Sequence, residues 1–321
     1  MKVAVLGANG RLSYEVAKAF LVAGHSVIAV TRNGKCEGLS GDVEFRAADV
    51  MKAQDVVAAT QGADVVFNGI NPPYDKWDAV CMPMAQNVIE AVRANKAAHL
   101  FIGNVYNYGK EIPVNANEET PHRLTTEKAV IRENMENLFR RYADDFGVKT
   151  VIVRAGDFYG GDKPGTWLDL MIAKDLRKGR FAWPGKMSIP HAFAYLPDLA
   201  KVFVSVGERS EELPVFSAFC FQGHTLSGED FGRALDAITC TPLKRGGVPW
   251  GMFRLIGLFY PLLREVVKMN YLWFTPHSLD GSKLEAFLGG IKVTPPQEAI
   301  RQALYDLNLW DRVQARSRLA A

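Results

Sequence analysis

Metal-ligand cysteine spacing is missing from this sequence. Its four cysteines, Cys36, Cys81, Cys220 and Cys240, lie far apart and form no Cys-x-x-Cys pair. That excludes a thiolate metal centre and a disulfide scaffold, and reads as reduced thiols in a cytoplasmic protein; no metal site is expected. An excess of one charge is missing as well. The chain carries 38 Lys and Arg against 35 Asp and Glu, a net charge of +3 with the signs interspersed, so nucleic acid is not an expected partner. Long apolar runs are missing too. The nearest candidate, Met252 to Leu263, is broken by Arg254, Gly257 and Pro261, where a spanning helix needs about 20 apolar residues. No membrane partner is expected. No signal peptide fits, because Lys2 leads straight into an apolar run. No internal repeat or low-complexity tract is visible.

What is present is organised around the start of the chain. Lys2-Val3-Ala4-Val5-Leu6 reads as a strand buried on both faces. It ends in Gly7-Ala8-Asn9-Gly10-Arg11-Leu12-Ser13, and helical spacing follows from Tyr14 to Leu21. Strand, glycine turn and helix in this order form a phosphate cradle. Glycines let the backbone approach a pyrophosphate, and the free N–H groups of the helix start point at the anion. Gly7, Asn9, Gly10, Arg11 and Leu12 are therefore candidate contacts to a dinucleotide. Ser13 stands where the helix must pack closely on the strand, and it is small enough.

An acid is absent where one would select NAD. The second strand, His25 to Val30, ends in Thr31-Arg32-Asn33. A carboxylate there holds the ribose 2′-hydroxyl; an arginine suits a 2′-phosphate, which guanidinium binds bidentately. Arg32, with Arg11, thus points to NADP(H). A third strand, Val43 to Val50, brings Asp49 and Val50 to the adenine end. A fourth, Ala63 to Phe67, leads into Asn68-Gly69-Ile70-Asn71-Pro72-Pro73-Tyr74. This stiff loop crosses the carboxyl edge of the sheet, where ligands bind in open α/β folds. Asn68 and Gly69 join the cofactor candidates, and Tyr74 and Trp77 are candidate pocket walls.

Further strands at Ala98–Ile102 and Thr150–Val153, separated by helices at 78–95 and 125–145, complete six parallel strands. The expected fold is α/β, a Rossmann-type doubly wound parallel sheet with a smaller mixed α/β C-terminal substrate lobe. Residues 1–160 form the dinucleotide domain and 161–321 mainly the substrate lobe, with about 190–222 returning to the sheet. A helix is expected over Leu199–Gly207, a strand over Pro214–Phe221, a capped helix from Ser227, and a last helix from Pro295. The aromatic-rich stretch Trp250 to Tyr271 is expected to be mostly core of the second lobe, the rest an apolar ligand wall or dimer face.

The order of Gly7-Ala8-Asn9-Gly10, Asp49-Val50, Gly103-Asn104-Val105-Tyr106-Asn107-Tyr108-Gly109, Arg154 to Gly160 and Tyr195-Leu196-Pro197-Asp198 resembles the short-chain dehydrogenase/reductase superfamily. The match is to its extended and atypical NAD(P)-dependent epimerase/dehydratase-like branch; Leu279 to Leu284 and Leu288-Gly289-Gly290 are similar to that branch's C-terminal signature. The resemblance implies a nicotinamide cofactor, often a homodimer, and a Ser/Thr, Tyr, Lys active site. Here the chain departs. In that register Lys128 keeps the lysine's place, where it would bind the nicotinamide ribose hydroxyls. The tyrosine's place is Leu124, which cannot donate a proton, and the Ser/Thr place is Asn104.

Asn104 can still polarise a carbonyl through its amide. The proton donor would be Tyr106, Tyr108 or Tyr159, all leaving strands at the active edge. Tyr106 comes first because, in an extended segment, it shares a face with Asn104. Three functions compete. The first is an NADP(H)-dependent oxidoreductase acting on a small apolar carbonyl compound. The second is a non-catalytic NADP-binding redox sensor or regulator. The third, ranked last for want of the tyrosine, is an epimerase or dehydratase acting on a sugar nucleotide.

Overall fold

The structure, a computed structural model, describes residues 1–311. Strand β1 (Lys2–Leu6) lies at the middle of a parallel sheet, and its Val-Ala-Val-Leu is fully buried. The chain passes through helix α1 (Arg11–Val22) to strands β2 (Ser26–Thr31) and β3 (Val43–Ala47) on one side. It then continues through α2 (Ala53–Thr60) to β4 (Val65–Asn68) on the other. Helix α3 (Trp77–Asn95), β5 (Ala98–Gly103), α4 (Glu127–Phe146) and β6 (Thr150–Arg154) extend that side. The order reverses at β1, so the carboxyl ends of β1 and β4 open a crevice, the usual ligand site of such sheets.

The second half builds two small sheets and returns once to the large one. Strand β7 (Asp157–Tyr159), β8 (Arg180–Trp183) and β9 (His191–Tyr195) precede α5 (Leu196–Glu208). Next, β10 (Phe216–Cys220) pairs in parallel with β6. The large sheet thus has seven strands, ordered β10-β6-β5-β4-β1-β2-β3. Strand β11 (His224–Leu226), α6 (Gly228–Thr239) and β12 (Lys244–Gly247) follow. The described chain closes with α7 (Trp250–Gly257), α8 (Pro261–Lys268), α9 (Ser282–Leu288) and α10 (Pro296–Asp306).

Three apolar cores result. Helices α2, α3 and α4 cover one face of the sheet, and α1 and α5 cover the other. Near-continuous apolar strands follow, since both faces are shielded from water. The third core gathers Tyr159, Phe181, Trp183, Phe193 and Trp273 in the second lobe. Helix ends obey local chemistry. Thr126 caps α4 by accepting from the Ala129 N–H, and Ser227 and Asp230 form a reciprocal capping box on α6.

Residues 157–159, for which the sequence suggested no element, pair with β9 in a three-stranded sheet, β11-β9-β7. A three-residue strand is too short to show alternation. One reading of the sequence needs correction: Trp250–Tyr271 is not mostly core. It forms the helical hairpin α7–α8, and Leu255, Leu258 and Phe259 are 64, 69 and 80% exposed. Composition alone cannot tell a buried helix from one whose apolar face looks outward.

Candidate functional site

The glycine turn has the conformation its sequence requires. Gly7 has φ +69°, a region L side chains rarely adopt. The Gly10 N–H donates to the Gly7 carbonyl at 2.7 Å, and a Cβ on Gly10 would stand 3.0 Å from that oxygen. No side chain caps the start of α1, so its N–H groups remain free for an anion. Leu12 is buried in the core and offers only backbone to the turn. Ser13 Oγ donates to the Leu6 carbonyl at 3.1 Å. A Cβ on Gly69 would sit 2.1 Å from Ser13 Oγ, so Gly69 is required for the loop after β4 to pass over α1.

The other cofactor candidates are placed as follows. Asn9 Nδ2 donates to the Lys35 carbonyl at 2.9 Å, tying the glycine turn to the turn after β2. Thr31 Oγ1 accepts from the Lys35 N–H at 3.0 Å and fixes that turn, leaving Arg32 and Lys35 exposed at the strand end. The Arg11 guanidinium lies against Gly165 of the second lobe; burial raises the pKa of Tyr74, and the Arg132 and Arg11 charges only partly oppose it. Asp49 is exposed beyond β3 and accepts from the Met51 N–H. Val50 turns its carbonyl to Asn87 Nδ2. Asn68 is buried and engaged by His99 and the Ile70 N–H.

Beside this crevice the structure gathers two cations and several rings. Lys128 and Arg132 are both buried on α4. Lys128 Nζ contacts Glu265 Oε2 of α8 at 2.5 Å and lies 5.1 Å from the Tyr74 ring. Arg132 lies over Trp77 at 4.8 Å and Phe101 at 5.3 Å, and reaches the Ile102 carbonyl at 3.4 Å. It makes no ion pair with a described residue, and its Nε has no hydrogen-bond partner. Burial lowers its pKa accordingly. The Tyr271 hydroxyl is likewise buried without a partner. Buried polar atoms are rarely left so. An unused donor beside a phosphate cradle fits the ribose and carboxamide oxygens of a nicotinamide dinucleotide.

The proposed proton donors separate here. Tyr106 is at the site, hydrogen-bonded to Tyr74 through the two hydroxyls. Its backbone N–H donates to Asn104 Oδ1 at 3.0 Å, which leaves the Asn104 amide NH₂ for a substrate. Burial raises the Tyr106 pKa well above its ordinary value, with the Tyr74 and Asp157 charges adding to the effect. Tyr108 is not at the site: a short 3₁₀ turn over 106–108 points it the other way, and it donates to the Asn117 carbonyl at 2.8 Å. Tyr159 is not there either. Strand β7 carries it into the second core, where it meets His224 Nδ1 at 2.6 Å. His224 Nε2 faces the Thr294 carbonyl, so Nδ1 accepts and Tyr159 donates.

Leu124 is 43% exposed and precedes α4, which begins at Glu127. Leu124 and Lys128 are therefore not a pair on one helix, whereas Lys128 and Arg132 are, at i and i+4. In the sequence Arg132 is only a second cation one turn beyond Lys128; that its Nε lacks a partner could be seen only in the fold. Elsewhere, His122, Glu133 and Glu136 converge, but Arg154 already binds Glu136 with two nitrogens at 3.1 and 2.9 Å. This group reads as an ion-pair network.

The sequence model of the NAD dependent epimerase/dehydratase family matches residues 3–218. No curated protein sequence matches the chain. Among solved structures, UDP-glucose 4-epimerase from Brucella ovis in complex with NAD is similar at 14% identity and TM-score 0.75, covering 94% of this chain and 96% of that one. UDP-N-acetylglucosamine 4-epimerase from Bacillus cereus is similar at 16% identity and TM-score 0.73, over 94% and 98% of the two chains. UDP-glucose 4-epimerase from Thermotoga maritima, with UDP-glucose, is similar at 14% identity and TM-score 0.75, over 99% and 100%. At these identities the likeness is one of fold. No helix among the described residues is long and apolar enough to cross a membrane.

Proposed function

The chain belongs to the NAD-dependent epimerase/dehydratase family, and from that premise we propose that it is a hydride-transfer enzyme in which Lys128 and Arg132 replace the family's Tyr and Lys. The observation that carries this reading is the buried cation pair at i and i+4, one member of which, Arg132, has an Nε without a hydrogen-bond partner. Nicotinamide dinucleotide, when bound, supplies the hydride exchange. Arg132, through its unpartnered Nε, would hold the ribose of that cofactor, the place the sequence register gave to Lys128. The Lys128 ammonium, held by Glu265, donates a proton to the developing alkoxide; in the reverse direction its amine takes that proton back. The Asn104 amide polarises the same oxygen. Tyr106, whose burial holds its proton tightly, orients Tyr74 over Lys128. Arg32 at the end of β2 selects NADP(H).

A sugar nucleotide is the substrate class with most support. Similar structures include UDP-sugar epimerases. The objection to epimerase chemistry was the missing tyrosine, and a lysine that both gives and takes a proton removes it. A small apolar carbonyl compound is the second reading, favoured by the aromatic wall of Tyr74, Trp77 and Tyr271.

The test is anaerobic incubation with NADP(H) and NAD(H) and a panel of UDP-sugars, aldehydes and ketones. Lys128→Met should lower turnover roughly 10²–10⁴-fold, the usual worth of general acid–base catalysis, with cofactor affinity retained. If Tyr106→Phe abolishes turnover and Lys128→Met does not, Tyr106 is the acid. Cofactor binding without turnover of any substrate would favour the redox sensor instead.

A further inference from the structure

We propose that the α7–α8 hairpin docks the protein onto an anionic phospholipid surface, lying in the interface without spanning it. This does not depend on the function proposed above. The hairpin tip exposes Met252, Leu255, Leu258, Phe259, Tyr260 and Leu262, most of them by half or more. Elsewhere, exposed large apolar residues stand mostly singly, as soluble proteins allow. A contiguous patch of this kind marks a binding surface.

Charge identifies the occupant. Arg254, Arg264 and Lys268 are the exposed charged residues of the hairpin, and all are positive. Lys268 is paired with Glu127 at 2.7 Å and Glu265 at 2.9 Å, but Arg254 makes no ion pair with a described residue, and Arg264 only approaches Glu265, at 3.8 Å. Between residues 250 and 271 the one acid is Glu265, which is buried and turned to Lys128. A second copy docking symmetrically would bring Arg254 and Arg264 of the two copies together, while the carboxylates beside the hairpin, Glu265 and Glu127, are already engaged by Lys128 and Lys268. Phosphate headgroups supply the opposite charge at the required density. An apolar tip rich in aromatic side chains and flanked by arginines is the composition of segments that lie in the headgroup region. Neither helix exceeds eight residues, so the hairpin reaches the interface and no further. Trp250 Nε1 donates to the Pro184 carbonyl at 2.6 Å, fixing the base of the hairpin on the second lobe. The tip is thus presented by a rigid support.

The experiment is flotation of the full chain with vesicles of phosphatidylcholine alone and of phosphatidylcholine mixed with phosphatidylglycerol. Binding should be strong to the mixed vesicles, weak to the neutral ones, and reduced by salt. Leu258→Ser with Phe259→Ser should lower vesicle affinity about tenfold or more. Arg254→Glu should lower it about fivefold or more, the usual effect of a basic side chain near such a surface. All three sites are exposed, so circular dichroism and cofactor titration should be unchanged. Failure to float with mixed vesicles, or equal flotation of the serine variant, overturns the proposal. So does sedimentation showing a dimer that the serine variant converts to monomer, which would make the patch an interface between copies.

Discussion

Arg132→Met separates a functional arginine from a structural one. Two buried arginines serve this region, and their surroundings differ. Arg154 is clasped by Glu136 at two nitrogens, whereas Arg132 faces rings, one carbonyl at 3.4 Å and an unpartnered Nε. Removing Arg154 leaves a buried carboxylate uncompensated, a loss of about 3–5 kcal/mol. Removing Arg132 forfeits a long hydrogen bond and cation–π contacts worth up to about 2 kcal/mol. In exchange it relieves a desolvation cost of several kcal/mol. Methionine matches its length and keeps contact with Trp77 and Phe101, so stability should change by about 1 kcal/mol or less, or rise. Cofactor affinity should fall about tenfold to a hundredfold, the worth of a charge-assisted hydrogen bond of about 1.5–3 kcal/mol. Denaturant unfolding followed by tryptophan fluorescence, with Arg154→Met as control, gives the first quantity; calorimetric titration with NADP gives the second. If Arg132→Met loses as much stability as Arg154→Met and binds cofactor normally, Arg132 is a packing residue and the displaced pair is refuted.

Gly10→Val should abolish cofactor binding in titration while circular dichroism stays native, since its side chain would enter the cradle beside the Gly7 carbonyl; normal binding would displace the cradle. Arg32→Ala should erase a preference for NADP over NAD of about tenfold or more in paired titrations. Acid should destabilise the fold between pH 7 and 5. Burial holds His99 and His277 near pKa 3, against 6.5 in the unfolded chain. From pH 6.5 down to 3 the unfolded state therefore binds protons that the folded state refuses, so stability falls as pH falls. The loss is about 2 kcal/mol for each histidine at pH 5, and His99→Gln should remove its share in unfolding curves measured at both pH values.

The parallel sheet was legible because burial on both faces leaves no choice of residue. β1, β2, β5 and β6 are apolar runs bounded by turns, and the structure ends each within a residue or two of its sequence boundary. The phosphate cradle was legible because its glycines answer a backbone demand that no other residue meets. Gly69 and Ser13 were each noticed, yet their mutual fit is a contact between loop and helix and carries no local pattern. β7 was hidden because three residues show no period.

The proposed pair, Lys128 and Arg132, was hidden for a different reason. A motif aligned by residue type put Lys128 in the lysine's place and then had to explain Leu124. The fold aligns by position along α4, and the helix begins only at Glu127. Anything at position 124 is outside the helix, so it cannot share a face with Lys128, and the i, i+4 relation passes to Lys128 and Arg132. The signal in the sequence was Thr126, an N-cap residue followed by Glu127, a helix start from which the register could have been counted inward. Counted so, the first cation on the cleft face is Lys128 and the next is Arg132. The exposed hairpin was hidden by the same limit from the other side. Its apolar spacing is that of a buried helix, and only the absence of a partner on its outer face tells the two apart.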